Sequence, residues 1–93
     1  MTIKFSIILP TYKCEFIENA IDSVISQTYT NWELIVIDNN LNNHVLNVIE
    51  NKKNKKIRYY KIKNHGIIGK SRNLGIKKSN FDWIAFLDSD DLW

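Results

Sequence analysis

Four short apolar runs, separated by stretches of helical periodicity, constrain the fold of this chain more than any other feature. The runs are Lys4–Leu9, Trp32–Asp38, Ile57–Lys61 and Trp83–Asp88. The first, second and fourth are nearly continuous in apolar residues, the pattern of strands covered on both faces of a parallel sheet. Between the first two, Phe16, Ile17, Ala20, Ile21, Val24 and Ile25 recur as adjacent pairs about every four residues. That spacing predicts a helix from about Glu15 to Gln27 with one apolar stripe. Val45, Leu46, Val48 and Ile49 predict a shorter second helix ending in a lysine-rich connection. A third is predicted over Gly69–Lys78. Its apolar face is weaker, and its Gly75 lowers helix propensity while permitting close approach to a sheet.

The order is therefore β-α-β-α-β-α-β. Strands alternating with helices predict an α/β fold: a three-layer parallel sheet of β-α units, Rossmann-like, with right-handed crossovers. With 93 residues the chain suffices for one small domain. Hydrophobic residues make up 44% and charged residues 25%, which excludes a disordered segment. No apolar run approaches the roughly 20 residues of a spanning helix. The start, Met1-Thr2-Ile3-Lys4, lacks the pattern of a signal peptide, so a cytoplasmic location is expected. Cys14 is the only cysteine, which leaves no internal disulfide and is compatible with a reducing compartment.

The net charge of +3 is unevenly spread. Lys52, Lys53, Lys55, Lys56, Arg58, Lys61 and Lys63 fall within twelve positions. They read first as a solvated connection with an exposed strand face. A second reading is peripheral attraction to an anionic membrane surface. Nucleic acid is not an expected partner, because no zinc-finger, helix-turn-helix or RNA-binding signature accompanies the charge.

In sheets of this kind ligands bind at the carboxyl ends of the strands. After the first strand come Pro10, Thr11 and Tyr12. Pro10, which cannot donate to a ladder, is expected to force a turn. Thr11 and Tyr12 belong either to a plain strand-to-helix loop or to a ligand edge. Asp38-Asn39-Asn40 follows the second strand and suits a turn or helix entry. The same side chains could hydrogen-bond a nucleobase. Asn64-His65-Gly66 follows the third, where His65 reads as a surface loop residue more readily than a catalytic one. The third helix opens with Gly69-Lys70-Ser71-Arg72-Asn73. A helix N-terminus suits a phosphate, and Lys70 and Arg72 would reinforce it. The glycine spacing of a Walker loop is absent.

The fourth run ends in Asp88-Ser89-Asp90-Asp91. Three carboxylates this close repel one another, and a hard divalent cation, Mg²⁺ or Mn²⁺, would compensate through oxygen ligands. The alternative is an acidic turn opening a helix.

Five segments taken together resemble family-2 glycosyltransferases with the GT-A fold. They are Ser6-Ile7-Ile8-Leu9-Pro10-Thr11-Tyr12, Ser23-Val24-Ile25-Ser26-Gln27-Thr28-Tyr29, Trp32-Glu33-Leu34-Ile35-Val36-Ile37-Asp38, Gly69-Lys70-Ser71-Arg72-Asn73-Leu74-Gly75-Ile76, and Trp83-Ile84-Ala85-Phe86-Leu87-Asp88-Ser89-Asp90-Asp91-Leu92-Trp93. The resemblance implies sugar transfer from a nucleotide-diphosphate-sugar donor to a saccharide or lipid-linked acceptor, usually with inversion, in bacterial surface polysaccharide assembly. It implies that Pro10, Thr11, Tyr12, Asp38, Asn39, Lys70, Arg72 and Asp88 bind the donor nucleotide. Asp88 and Asp90 would form the D-x-D metal pair, with Asp90 the direct ligand. Where the family commonly has Asp-Asp-Gly-Ser after the second strand, this chain reads Asp38-Asn39-Asn40-Leu41, which opens the question of base preference. Family members are usually more than twice as long. Residues 1–93 are therefore expected to correspond to the N-terminal nucleotide-sugar-binding part, with truncation after the D-x-D motif. The acceptor site and catalytic base are expected beyond Trp93.

Two alternatives stand beside this one. A donor-binding half without an acceptor half could be a non-catalytic nucleotide-binding remnant or module. Phe86-Leu87-Asp88-Ser89-Asp90 also resembles the nucleophile motif of haloacid-dehalogenase-type phosphatases, although that motif normally opens its domain. A receiver-type signalling domain would need an acidic pair where Pro10-Thr11-Tyr12 stands. An open strand edge and the apolar Leu92-Trp93 end also make self-association an expectation.

Overall fold

The computed structural model describes residues 4–12, 17–27, 31–40, 42–63 and 68–87. Its elements follow the expected alternation: β1 (Phe5–Thr11), α1 (Ile17–Ile25), β2 (Trp32–Asp38), α2 (His44–Lys52), β3 (Ile57–Lys61), α3 (Ile68–Lys78) and β4 (Trp83–Phe86). The four strands form one parallel sheet in the order β3-β2-β1-β4. The chain thus builds outward from β1 through β2 to β3, then crosses back through α3 to the other side of β1. That reversal makes the carboxyl rim between β1 and β4 a topological switch point, where α/β sheets bind ligands.

The apolar periodicity explains the layers. In β1 and β2 every residue from Ser6 to Thr11 and from Trp32 to Asp38 is buried, because both faces are covered. Ile7, Leu9, Leu34 and Val36 face one way and join Ile17, Ala20, Ile21 and Val24 of α1 and Val45 and Val48 of α2 in one cluster. Ile8 faces the other way, toward α3. A Cβ on Gly75 would lie 2.4 Å from Ile8 Cγ2. Buried Ser71 and Gly75, with half-buried Ser79, form a stripe of small residues at helical spacing. α3 therefore approaches the sheet by backbone proximity and needs no large apolar face. Lys52 ties α2 to α1 through Glu18 at 2.9 Å and Asp22 at 2.7 Å.

Three expectations change. β1 runs straight through Pro10 and ends at Thr11, with Pro10 opposite Ile37, so Pro10 forces no turn. The reason lies in the alternation of backbone direction. Ile8 presents its carbonyl to β4, accepting from Leu87 N–H at 3.0 Å, and Pro10 shares that orientation. Pairing with β4 ends at Ile8↔Phe86, so the donor that proline lacks falls where the ladder has stopped.

Second, β4 is not buried on both faces. It is the edge strand of the described sheet, and Trp83 (59%), Ile84 and Phe86 are exposed while Ala85 packs against the core. Its ladder ends at Phe86 instead of continuing to Asp88, which lies outside the described residues. Third, the lysine-rich stretch is not simply solvated. Lys52 pairs as above, Lys56 sits 4.8 Å over the Trp32 ring, Arg58 pairs with Glu33 at 3.0 Å, and Lys61 donates to the Asn42 carbonyl. No helix among the described residues is long and apolar enough to cross a membrane.

Gly75→Ala tests the close approach of α3. The added methyl gains roughly 1 kcal/mol of helix propensity but must displace the β-branch of Ile8. Overpacking of that kind costs about 1–3 kcal/mol. Urea unfolding should show a net loss of stability, and a stabilised variant would refute the packing described.

Candidate functional site

The carboxyl ends of β1 and β2 bring Thr11 and Asp38 side by side, as paired residues of one register and on one face of the sheet. Asp38 is fully buried. Its Oδ1 accepts from the backbone N–H of Asn40 at 3.0 Å and from Asn40 Nδ2 at 2.8 Å, closing an Asx-turn. Its Oδ2 accepts from the Tyr59 hydroxyl. The Asp38 carbonyl takes the Ile62 N–H at 2.8 Å. The carboxylate therefore organises the rim: it fixes Asn40 and couples the ends of β2 and β3.

Asn39 follows, buried, its N–H donating to the Thr11 carbonyl at 3.0 Å. Thr11 is 2% exposed, and its Oγ1 has no hydrogen-bond partner among the described residues. A buried hydroxyl left in that state costs stability unless a ligand takes it up. Pro10 lies within β1 just below this rim, and Tyr12 stands exposed at its lip.

Since α3 runs back down the sheet, its N-terminus lies at the same rim. Lys70 is exposed in the first turn. Arg72 reaches toward β4, its guanidinium 5.3 Å from the Phe86 ring centroid. That contact spans the gap between α3 and the last residue of β4. Leu87, buried and bonded to Ile8, then leads the chain out at the rim shared with Thr11 and Asp38.

The structure thus brings Pro10, Thr11, Tyr12, Asp38, Asn39, Lys70 and Arg72 to one rim. Asp88 and Asp90 lie outside the described residues, as does His65. Among the described residues no three His, Cys, Asp or Glu side chains gather in a metal-binding group. Asp38, the described carboxylate at the rim, has both oxygens engaged by Asn40 and Tyr59, so it is a poor cation ligand.

Tyr59 is the residue that sequence reasoning missed. Burial pushes its phenol well above the ordinary value, and the hydrogen bond to Asp38 and that carboxylate's charge add to the rise. The strand Ile57–Lys61 showed a tyrosine at this position. Only the pairing Asp38↔Lys61 reveals that Tyr59 shares the Asp38 face.

A family model described as glycosyl transferase family 2 matches residues 6–93. A Rickettsia bellii glycosyltransferase is 45% identical over 92 residues, 97% of this chain and 13% of that protein. The Staphylococcus aureus poly(ribitol-phosphate) β-N-acetylglucosaminyltransferase TarP is 42% identical, over 96% of this chain and 29% of its own length. The Escherichia coli glucosyltransferase WfgD, whose acceptor is an α-D-GlcNAc-diphosphoundecaprenol, is 36% identical, over 95% of this chain and 35% of its own. Among solved structures, the crystal structure of S. aureus TarS superposes with a TM-score of 0.85 at 27% identity, over 97% of this chain and 28% of that one. The chain therefore spans about a third or less of the length of these relatives.

Tyr59→Phe leaves the buried Asp38 carboxylate short of one donor. The variant should lose about 1–3 kcal/mol of stability at neutral pH. The folded chain holds the Tyr59 proton more tightly than the unfolded chain, whose ordinary value is 10.0. The contribution is therefore complete below that pH and disappears as pH rises beyond it. Urea midpoints measured at increasing alkalinity should fall more steeply for the wild type than for Tyr59→Phe. Parallel curves would remove the bond from the account.

Proposed function

The chain belongs to glycosyl transferase family 2, and from that premise we propose that residues 1–93 form the donor-binding part of an enzyme that moves a sugar from a nucleoside-diphosphate sugar to a saccharide or lipid-linked acceptor during surface polysaccharide assembly. The observation that carries this reading is the convergence on one rim of Thr11, Asp38, Asn39, Lys70 and Arg72 beside the exit of β4. Each contributes a different chemistry. The Asx-turn at Asp38 stiffens the backbone that carries Asn39 and Asn40, whose amides can both donate to and accept from a nucleobase edge. The buried Thr11 hydroxyl supplies a donor and an acceptor at the floor. The amino end of α3, with Lys70 and Arg72, offers positive potential to the diphosphate.

Asp88 and Asp90, which follow β4 directly, would hold a divalent cation, Mg²⁺ or Mn²⁺, that offsets the diphosphate charge. The names of TarP and TarS, poly(ribitol-phosphate) β-N-acetylglucosaminyltransferases, and of WfgD, a glucosyltransferase acting on an α-D-GlcNAc-diphosphoundecaprenol, support the acceptor class. The match of residues 6–93 to the transferase family leaves the phosphatase alternative without support.

Calorimetry with UDP, GDP, CDP and ADP, each with and without Mn²⁺, tests the reading. Metal-dependent binding of one of them is expected, with Asp90→Asn removing the metal-dependent part. Thr11→Val should weaken that binding while changing stability by less than about 1 kcal/mol, because it deletes a hydroxyl that no described residue satisfies. Absence of binding by all four diphosphates would overturn the donor-binding reading and leave an inert remnant.

A further inference from the structure

The amino rim of the sheet, opposite the donor-binding rim, holds a buried carboxylate that the proposed function does not use. Glu33 is 6% exposed. Its Oε2 accepts from the Ser6 hydroxyl at 2.6 Å and from the Asn80 backbone N–H at 2.7 Å. Its Oε1 accepts from Arg58 Nη1 and from Asn80 Nδ2, both at 3.0 Å. Two further bonds extend the cluster. Ser6 Oγ accepts the Phe81 N–H at 3.2 Å, and Arg58 Nη1 donates to the Lys78 carbonyl at 2.6 Å. Burial pushes the Glu33 carboxyl up, but the bonds from Ser6, the Asn80 backbone, Arg58 and the Asn80 side chain outweigh it and hold the group below its ordinary value. β1, β2, β3, the end of α3 and the α3–β4 connection thus meet at one ionised side chain.

What this cluster holds is the strand with the least other support. β4 has four residues, pairs with β1 alone among the described strands, and is mostly exposed. Its side chains, Trp83, Ile84, Ala85 and Phe86, are apolar on both faces. A one-residue slip in a sheet normally exchanges an apolar face for a polar one, and that penalty fixes register. Within the four residues of β4 that penalty is weak, and the side chains that resist a slip are Ala85, half-buried against the core, and buried Leu87 beyond the strand's far end. A slip of two residues would keep every face and still move the end of β4 by roughly 6–7 Å. The polar cluster removes that ambiguity, because Asn80 and Phe81 reach Glu33 and Ser6 in one alignment, which sets Phe5 opposite Trp83.

We propose that Glu33 is a positioning residue for the donor site: by clamping the α3–β4 connection it sets the register of β4 on β1, and so the point at which β4 and Leu87 reach the donor rim. The proposal rests on the donor-binding reading for its functional consequence. Its structural half stands alone.

Hydrogen exchange on the full chain tests that half without any nucleotide. Leu87 N–H donates to β1, and by strand alternation the Ala85 amide faces β1 as well. In Glu33→Gln these two amides should exchange at least about tenfold faster relative to those of Leu9 and Val36. Val48→Ala, a core truncation in α2, should leave that ratio unchanged. Glu33→Gln should also weaken nucleoside-diphosphate binding in Mn²⁺ by about tenfold through a misplaced β4 exit. Unchanged relative protection at Ala85 and Leu87 would overturn the proposal, as would equal loss in Val48→Ala. If Glu33→Gln does not fold, Asn80→Ala decides by the same ratio, since it removes one anchor and leaves the carboxylate paired with Arg58 and Ser6. Wild-type chain that binds no diphosphate would count against the donor site alone and leave the exchange result intact.

Discussion

Residues 5–11 and 32–38 pair one to one, and the side chains they project on both faces are what every helix packs against. Ile7, Ile8, Leu9, Leu34, Ile35, Val36 and Ile37 are all buried to within a few per cent. Burial of an aliphatic side chain of this size is worth roughly 1.5–3 kcal/mol, so this one strand pair supplies a large share of the apolar driving force available to a small domain. It also fixes geometry. Because β1 and β2 are in register to their last pair, Thr11 and Asp38 reach the rim together. The two loops that follow must leave from adjacent points. The candidate site is in that sense a consequence of core pairing, and a change that weakens the pair would be felt at the rim.

Much of this was legible in the sequence. Near-continuous apolar runs identified β1 and β2 as strands covered twice over, and paired apolar residues at helical spacing identified α1. The same reasoning went wrong at β4 for a physical reason. An apolar run reports what a strand could bury and says nothing of whether a neighbour is present, so Trp83, Ile84 and Phe86 read like core and stand exposed. Pro10 misled in the opposite direction. Its missing donor matters only if a partner strand lies on that side, and the partner stops two residues earlier.

The candidate site divides along the same line. Residues at strand ends can be identified from position alone, and Thr11, Asp38 and Asn39 are of that kind. Their partners could not. Tyr59 satisfies Asp38 across a strand pairing, and Glu33 gathers Ser6, Arg58 and Asn80 from positions far apart in the chain. Nothing in local periodicity marks such groups, because their polarity is balanced by contacts that exist only after folding. Glu33 is the point at which the nearly continuous apolar run of Trp32–Asp38 is interrupted inside the strand. Long-range compensation of this kind is where a sequence pattern and a fold disagree most informatively.

The two rims show how one sheet divides its polar work. At the amino rim, each oxygen of Glu33 accepts two bonds, and the ion pair with Arg58 closes the charge balance. That satisfaction confers rigidity and specifies one alignment. At the carboxyl rim the balance among the described residues is incomplete. Asp38 is satisfied and stiff, yet beside it the Thr11 hydroxyl is buried with no described partner, and cationic Lys70 and Arg72 stand at a helix end that is itself positive. A chain under selection for stability alone would satisfy both rims alike. A buried hydroxyl with no partner among the described residues, at the switch point of the sheet, has a physical rationale if a ligand completes it, and the nucleoside diphosphate of the proposed function has the hydrogen-bonding groups to do so.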